Sequence, residues 1–372
     1  PCTFNISIEP LEFSPVLVFF SQDGFDCFLS FFKGFVVIYL LSDEFFQGHI
    51  SLERGDGWIK PWRLPHARRP LFPSPDEGLL SRAECASGVR LRFATEAESI
   101  TLHFLPLPEV PESCDRETFH FDLTIDGDLV ASTPAAAGSE KAVFENLPLG
   151  EKVVEIWLLP EAPVTLLGLD VDAPCRPADE TRKRWVTYGS SLTHCVRAHS
   201  PARTWPAIVA RGHGLNLTCL GYGGNCHLEP MIARMIRDMP AEFISMKVGI
   251  NIQGSGSLSP RTFGPATIGF VEIIREKHPD TPLVVISPIY SPPREDTPNA
   301  VGFSLRGIRE EVAAAVDAVR ASGDTNIHYV DGLKLFGPEH SHLLPDQLHP
   351  DAEGYKVLGQ NFLREVADRL FQ

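Results

Sequence analysis

The sequence predicts a two-domain α/β protein. An all-β sandwich or jelly roll comes first, and a flavodoxin-like three-layer α/β/α domain with a five-stranded parallel sheet follows. Three observations carry this. Segments of the first half alternate apolar and polar residues with a period of two. In the second half, short apolar strands alternate with stretches of helical period. The chain is also long, at 372 residues, for a single hydrophobic core, so two cores are expected.

In the first half the alternating segments are 49–53, 89–94, 99–104, 119–125, 141–145, 153–158 and 164–171. Turn signals such as Asp126-Gly127 and Leu149-Gly150 separate them, as antiparallel hairpins require. No helix-length pattern interrupts the series, so a β-sandwich is expected over 48–172. Within GWIKPWRLP, the cluster Trp58, Lys60, Pro61, Trp62 and Arg63 has the composition of a ligand strip or lid. Large aromatics more often fill cores, so it is assigned to the sandwich edge or the interdomain seam. Residues 173–183 carry two Pro and mixed charge and read as the linker.

The second half, 184–372, offers strands at 184–188, 215–220, 243–248, 283–289 and 327–330. Helices are expected at 204–211, 228–237, 268–277, 305–321 and 352–370. Ile308, Val312, Val316 and Val319 recur at helical spacing and form a face that packs on a sheet. Right-handed crossovers then bury a parallel sheet on both faces and gather its strand-end loops at one edge.

Residues 1–47 differ from the rest. They hold eleven of the 24 Phe residues and one basic residue, Lys33. The apolar run 29–41 is broken by Lys33 and Gly34 and is too short for a bilayer of ~30 Å. It also lacks the basic start and cleavage site of a signal peptide. The segment is read as an atypical or poorly ordered extension, with a membrane-associating hairpin as the sharper alternative. No stable membrane insertion and a cytoplasmic location are expected.

A formal net charge of -15 argues against nucleic acid or an anionic membrane as partner. None of the eight cysteines forms a C-x-x-C pair, and the H-x-H at His340 and His342 has no completing ligands. Neither a metal nor a cofactor is expected. The glycine run 221–226 does not complete G-x-G-x-x-G, because Cys226 stands sixth.

Four short stretches carry chemistry. They read YGSSLT over 188–193, LGYGGNCH over 220–227, KVGIN over 247–251 and DQLHP over 346–350. A serine just past a strand end, facing the free N–H groups of a following helix, sits where α/β folds place their sites. Taken alone, Ser190 or Ser191 would be a helix cap and Asn251 a turn residue.

In order and spacing, these stretches resemble the four blocks of the SGNH hydrolase superfamily, the GDSL esterases and lipases. The resemblance covers about 184 to the C-terminus. It implies the same fold and a serine ester hydrolase working through an acyl-enzyme. Ser191 aligns with the family's nucleophile, His349 with its general base and Asp346 with the orienting carboxylate. The Ser191 N–H, Gly224 and Asn251 align with the oxyanion donors. The chain departs from the pattern in one place, where Ser190 replaces the family's Asp, and this leaves two adjacent serines to choose between. Gly223 competes with Gly224 for the donor position.

His194, Arg197, His199, His340 and His342 are candidates to line the pocket or lie on the surface. Cys195 and Cys226 are read as buried packing rather than thiol nucleophiles. A sandwich ahead of an SGNH domain also resembles carbohydrate esterases and GDSL acyltransferases of natural products. The expected partner is therefore a small-molecule or carbohydrate ester. Two rivals stand beside hydrolysis. One is acyl transfer to a sugar or natural-product hydroxyl. The other is a non-catalytic glycan-binding protein.

Overall fold

The computed structural model describes residues 41–114 and 116–372, together with the backbone of Leu17–Val18 and Val37–Tyr39. Most of the Phe-rich extension lies outside the described residues. Its last residues belong to the sandwich, since Leu41, Phe45 and Phe46 are buried in that core and Phe46–Gln47 pairs with Arg90 and Leu91.

Two sheets face each other in the N-terminal half. One contains Ser51–Gly55, Trp58–Trp62, Ile100–Phe104, Lys141–Phe144 and Leu166–Val171. The other runs in the order Cys175–Pro177, Arg90–Thr95, Lys152–Trp157, Phe119–Ile125, Asp128–Ala135, all antiparallel. Alternation along each strand sends every second side chain inward. Phe104 of one sheet stacks on Phe121 of the other at 4.9 Å between ring centroids. The expected turn at Asp126-Gly127 is present, with φ of 51° and 92°, and opens a hairpin into Asp128–Ala135.

Four elements here depart from the sequence reading. Asp128–Ala135 is a strand, although it holds Pro134 and few large apolar residues, because an edge strand tolerates both. Trp58–Trp62, not among the expected strands, is one and pairs with Ser51–Gly55. Cys175–Pro177, read as linker, pairs with residues 93–95. A helix, Gly78–Glu84, does interrupt the strands. At two turns it is too short for a periodicity signal, yet its Leu79 and Ala83, four apart, are both buried.

The C-terminal half has the predicted parallel sheet, ordered Leu215–Gly221, Lys183–Gly189, Phe243–Lys247, Leu283–Ile286, Ile327–Val330. Helices Pro230–Asp238, Pro260–Arg275 and Leu305–Ala321 pack on one face, burying Ile232, Phe270, Ile308, Val312, Val316 and Val319. Trp205–Gly212 and Ala352–Phe362 cover the other through Trp205, Tyr355 and Phe362. Pro260–Arg275 begins eight residues before the expected start. Pro260 occupies a first-turn position and Ser259 and Thr262 form a capping box, so these apparent breakers open the helix.

Two arginines join the halves. Leu215–Gly221 is an edge strand, whose outward carbonyls would otherwise lack partners. Arg63 donates to the carbonyls of Cys219 and Gly221, and Arg90 to that of Leu217 and to Asn216 Oδ1. Both arginines are fully buried. Arg90 is neutralised by Glu155, 3.0 Å away. Burial alone would raise that carboxylate's pKa, but Arg90 and Arg182 outweigh it and hold the value at about 2. Trp62, Leu64, Phe72, Leu79 and Ala83 from the first half sit in the same core as Tyr188, Leu220 and Tyr222 from the second. The Trp58–Arg63 cluster thus lies at the seam.

Candidate active site

Lys183–Gly189 has a neighbour strand on each side whose connections leave in opposite directions, so its C-terminal end is the switch point of the sheet. Ser190 ends the strand in an extended conformation and caps the single helical turn Ser191–His194, its side chain accepting from the Leu192 N–H. Ser190 is fully buried. Ser191 is partly open, and its N–H, first in the turn, has no intrahelical acceptor. The turn can lie this close to the sheet because residue 221 is glycine. A Cβ there would fall 2.3 Å from the His194 backbone nitrogen.

The loop before the last helix meets this serine. Ser191 Oγ lies 2.9 Å from His349 Nε2, and His349 Nδ1 lies 2.8 Å from Asp346 Oδ2. The other carboxylate oxygen accepts from the backbone N–H groups of Leu348 and His349 at 3.1 and 2.7 Å. Gln347, at φ 62°, turns the chain back so that one Asp side chain can reach all three donors. The Ser291 hydroxyl holds the Gln347 carbonyl at 2.7 Å. Burial would raise the Asp346 pKa, but the His349 backbone N–H, the His349 ring and Leu348 outweigh it, so the carboxyl sits below its usual range. Asp351 caps the helix that follows, Ala352–Phe362, and Pro350 stands just before that cap.

On the opposite side, the loop after Leu215–Gly221 and the turn after Phe243–Lys247 approach one another. Asn251 Oδ1 accepts from the Cys226 N–H at 3.2 Å, which leaves the amide Nδ2 hydrogens free to donate. Gly224 has φ 74°, a left-handed conformation that favours glycine. The carbonyls on either side of this bend are held. Asn225 Nδ2 donates to the Gly223 carbonyl at 2.7 Å, and His227 Nε2 lies 3.0 Å from the Gly224 carbonyl. His227 Nδ1 is in turn 2.8 Å from the Ser257 hydroxyl. A Cβ on Gly223 would stand 3.6 Å from Ser191 Cβ, so this loop faces the serine.

The structure thus gathers Ser191, His349 and Asp346 into one hydrogen-bonded chain and sets the glycine loop and Asn251 beside it. Arg197 joins them through Asp346 Oδ2, 3.2 Å from its Nη1. Asn225, His227 and Ser291 were missed as site residues; their types are common in loops, and only tertiary contacts reveal them. His194 points away into the seam, with Nε2 2.6 Å from the Pro160 carbonyl. Burial, then Arg63 and Arg82, push its pKa well below 6.5. His199 lies against His120 with the rings tilted, and His340 lies against Phe336. His342 falls in the short helical segment Pro338–Leu343. Burial raises both the Cys195 and Cys226 thiols far above the usual range, so neither is an ionised nucleophile. Among the described residues, no group of three or more His, Cys, Asp or Glu is placed to hold a metal, and no helix is long and apolar enough to cross a membrane.

Residues 182–367 match the GDSL-like lipase/acylhydrolase family, and residues 45–164 match the N-terminal domain of SsfX3. No curated protein matches the chain. Among solved structures, the salicylyl-acyltransferase SsfX3 from a tetracycline biosynthetic pathway is 34% identical. It superposes with a TM-score of 0.79 over 87% of this chain and 94% of that one. A protein described as a GDSL-like lipase from Bacteroides ovatus ATCC 8483 is 21% identical, with a TM-score of 0.70 over 87% and 94%. A family two carbohydrate esterase from Clostridium thermocellum is 14% identical, with a TM-score of 0.59 over 77% and 94%. These last two share the fold. The chain therefore belongs to the GDSL-like lipase/acylhydrolase family, as an ester-cleaving or acyl-transferring enzyme that carries a β-sandwich ahead of its α/β/α domain.

Proposed function

We propose that the chain hydrolyses a carboxylic ester, with Ser191 as nucleophile, His349 as general base and Asp346 as the carboxylate that orients it. The unbroken hydrogen-bonded chain from Ser191 Oγ through His349 to Asp346 carries this reading. As Oγ bonds to the ester carbonyl carbon, its proton passes to His349 Nε2. The oxyanion is met by the Ser191 N–H, the Gly224 N–H and the Asn251 amide, donors fixed before the reaction starts. His349 then returns the proton to the departing alkoxide, leaving an acyl-enzyme. Water then attacks the acyl carbon as His349 takes its proton, and that proton passes to Ser191 Oγ as its bond to the acyl carbon breaks and the free acid leaves. Asp346 stabilises the imidazolium formed in each half. Ser190 is a cap in this reading, and its burial keeps its hydroxyl from the substrate.

The substrate is read as a small-molecule or carbohydrate ester. One observation favours a second acceptor in place of water: the 34% identical SsfX3 is an acyltransferase and shares the sandwich domain. The assembled Ser191–His349–Asp346 chain argues against a purely glycan-binding role. Partitioning tests the choice. With a para-nitrophenyl ester, nitrophenol release reports acylation, and free acid against transesterified product reports the acceptor. Hydrolysis predicts that free acid dominates even with added sugar or phenolic alcohols. Transfer predicts that an alcohol accelerates release and takes most of the acyl group.

A further inference from the structure

The helix Gly78–Glu84 belongs to the N-terminal half but packs on the α/β/α domain, directly over the loop that faces Ser191. A Cβ on Gly78 would meet Asn225 Nδ2 at 3.2 Å. Leu79 and Ala83 anchor the helix in the core, and Arg82, between them in sequence, is turned outward and exposed. A Cβ on Gly223 would lie 3.6 Å from Arg82 Nε, 3.7 Å from its Cδ and 3.6 Å from Ser191 Cβ. Arg82 and Ser191 therefore flank the same glycine from two domains.

Two observations give this placement a charge. Arg82 has no carboxylate partner among the described residues, whereas Glu84 on the same helix is paired with Lys60 at 2.7 Å. Beneath it, the buried Arg63 spends its N–H groups on the carbonyls of Arg82, Cys85, Cys219 and Gly221 rather than on an acid. Arg82 thus stands beside the glycine loop, with Arg63 buried behind it, and neither has a carboxylate partner among the described residues of a chain whose net charge is -15. An anionic substrate approaching so acidic a protein is repelled unless a local cation reverses the field at the mouth.

We propose that Arg82 reads a carboxylate carried by the ester, so that the N-terminal domain supplies a specificity-determining cation to the active site. The inference rests on the proposed Ser191 ester chemistry, because it names a property of that site's substrate. It defines the ligand by chemistry, as an organic anion near the scissile ester, on the acyl or the alcohol side.

The test compares matched esters on the intact chain. The acyl-side pair is para-nitrophenyl hydrogen glutarate against its neutral methyl ester. The alcohol-side pair is para-carboxyphenyl butyrate against its methyl ester. Wild type, Arg82→Gln, Arg82→Lys and Arg82→Glu are assayed, with thermal unfolding to show that each is folded. In one pair, kcat/KM for the carboxylate ester falls roughly tenfold in Arg82→Gln and further in Arg82→Glu. Arg82→Lys retains part of it, and the neutral ester shifts less than about twofold. Added salt erodes the wild-type advantage. The pair that responds identifies the side bearing the charge. Equal losses on neutral and charged esters, or no change on either, overturn the proposal while leaving the Ser191 chemistry intact. A folded wild type inactive on all four esters refutes that chemistry instead.

Discussion

At the scale of single residues, the Gly224 N–H is aimed by a side chain. Carbonyl and N–H of a trans peptide point to opposite sides of one plane. By holding the Gly223 carbonyl at 2.7 Å, Asn225 fixes the direction of the Gly224 N–H in the same peptide. Removing an oxyanion donor outright costs about 10²- to 10³-fold in turnover. Misdirecting one costs less, so Asn225→Ala is expected to lower kcat by roughly 10- to 100-fold with little change in KM, measured by steady-state ester hydrolysis. A parallel rise in KM would assign Asn225 to substrate binding. Ser191, Asp346 and His349, proposed as the reactive residues, stand out in the sequence because they fall in short blocks of fixed spacing, and the fold brings them into one hydrogen-bonded chain. Asn225, His227 and Ser291 do not, since each acts through a neighbour brought up by the fold, nor does Arg82, which a helix of the other domain carries to the glycine loop.

Among the elements, the strand Phe243–Lys247 ends on a lysine whose ammonium has no hydrogen-bond partner and is almost wholly buried. Burial pulls its pKa down to about 8, with Cys195 and Cys226 opposing the shift. The sign of the pH effect follows. Below about 8 both the folded and the unfolded chain hold the proton, and the folded state bears the full cost of the charge. Between about 8 and the ordinary lysine value only the unfolded chain holds it, so stability rises with pH. Lys247→Met should remove that slope and raise stability at neutral pH, on the order of 1–3 kcal/mol. Denaturant unfolding at pH 7 and pH 10 checks both, and a steeper pH dependence in the mutant would contradict the account. Elements with strong periodicity, such as Leu305–Ala321, were legible to the residue. Those set by tertiary contact were not: Gly78–Glu84 is short and docks on a foreign core, and the strand Asp128–Ala135 is an edge with one exposed face.

Across the whole molecule, the two halves are linked through one edge strand. Arg63 and Arg90 satisfy the outward carbonyls of Leu217, Cys219 and Gly221, and Gly221 leads straight into the glycine loop of the site. The sandwich therefore closes the parallel sheet's exposed edge and braces the loop that faces Ser191. Arg63→Met should leave several buried carbonyls unpaired and cost on the order of 3–5 kcal/mol. The loss should appear in thermal unfolding as one cooperative transition at lower temperature, with reduced ester turnover below it. Two separated transitions in the wild type would show instead that the halves fold independently. The composition of the tryptophan and arginine cluster points to the sandwich edge or the interdomain seam, but the identity of the acceptors depends on which strand lies at the sheet edge, and local pattern does not encode that.

Ser191, and not its neighbour Ser190, is proposed as the serine that His349 activates, 2.9 Å from its Nε2. Intact-protein mass spectrometry after a fluorophosphonate probe tests it most directly, on wild type beside Ser191→Ala, Ser190→Ala and His349→Ala. One added probe is expected in wild type and in Ser190→Ala. The latter is destabilised by about 0.5–2 kcal/mol through its lost cap but keeps the nucleophile. No adduct is expected in Ser191→Ala or His349→Ala. Labelling that survives in Ser191→Ala and disappears in Ser190→Ala would contradict the assignment, and a folded wild type that takes no probe would contradict the acyl-enzyme itself.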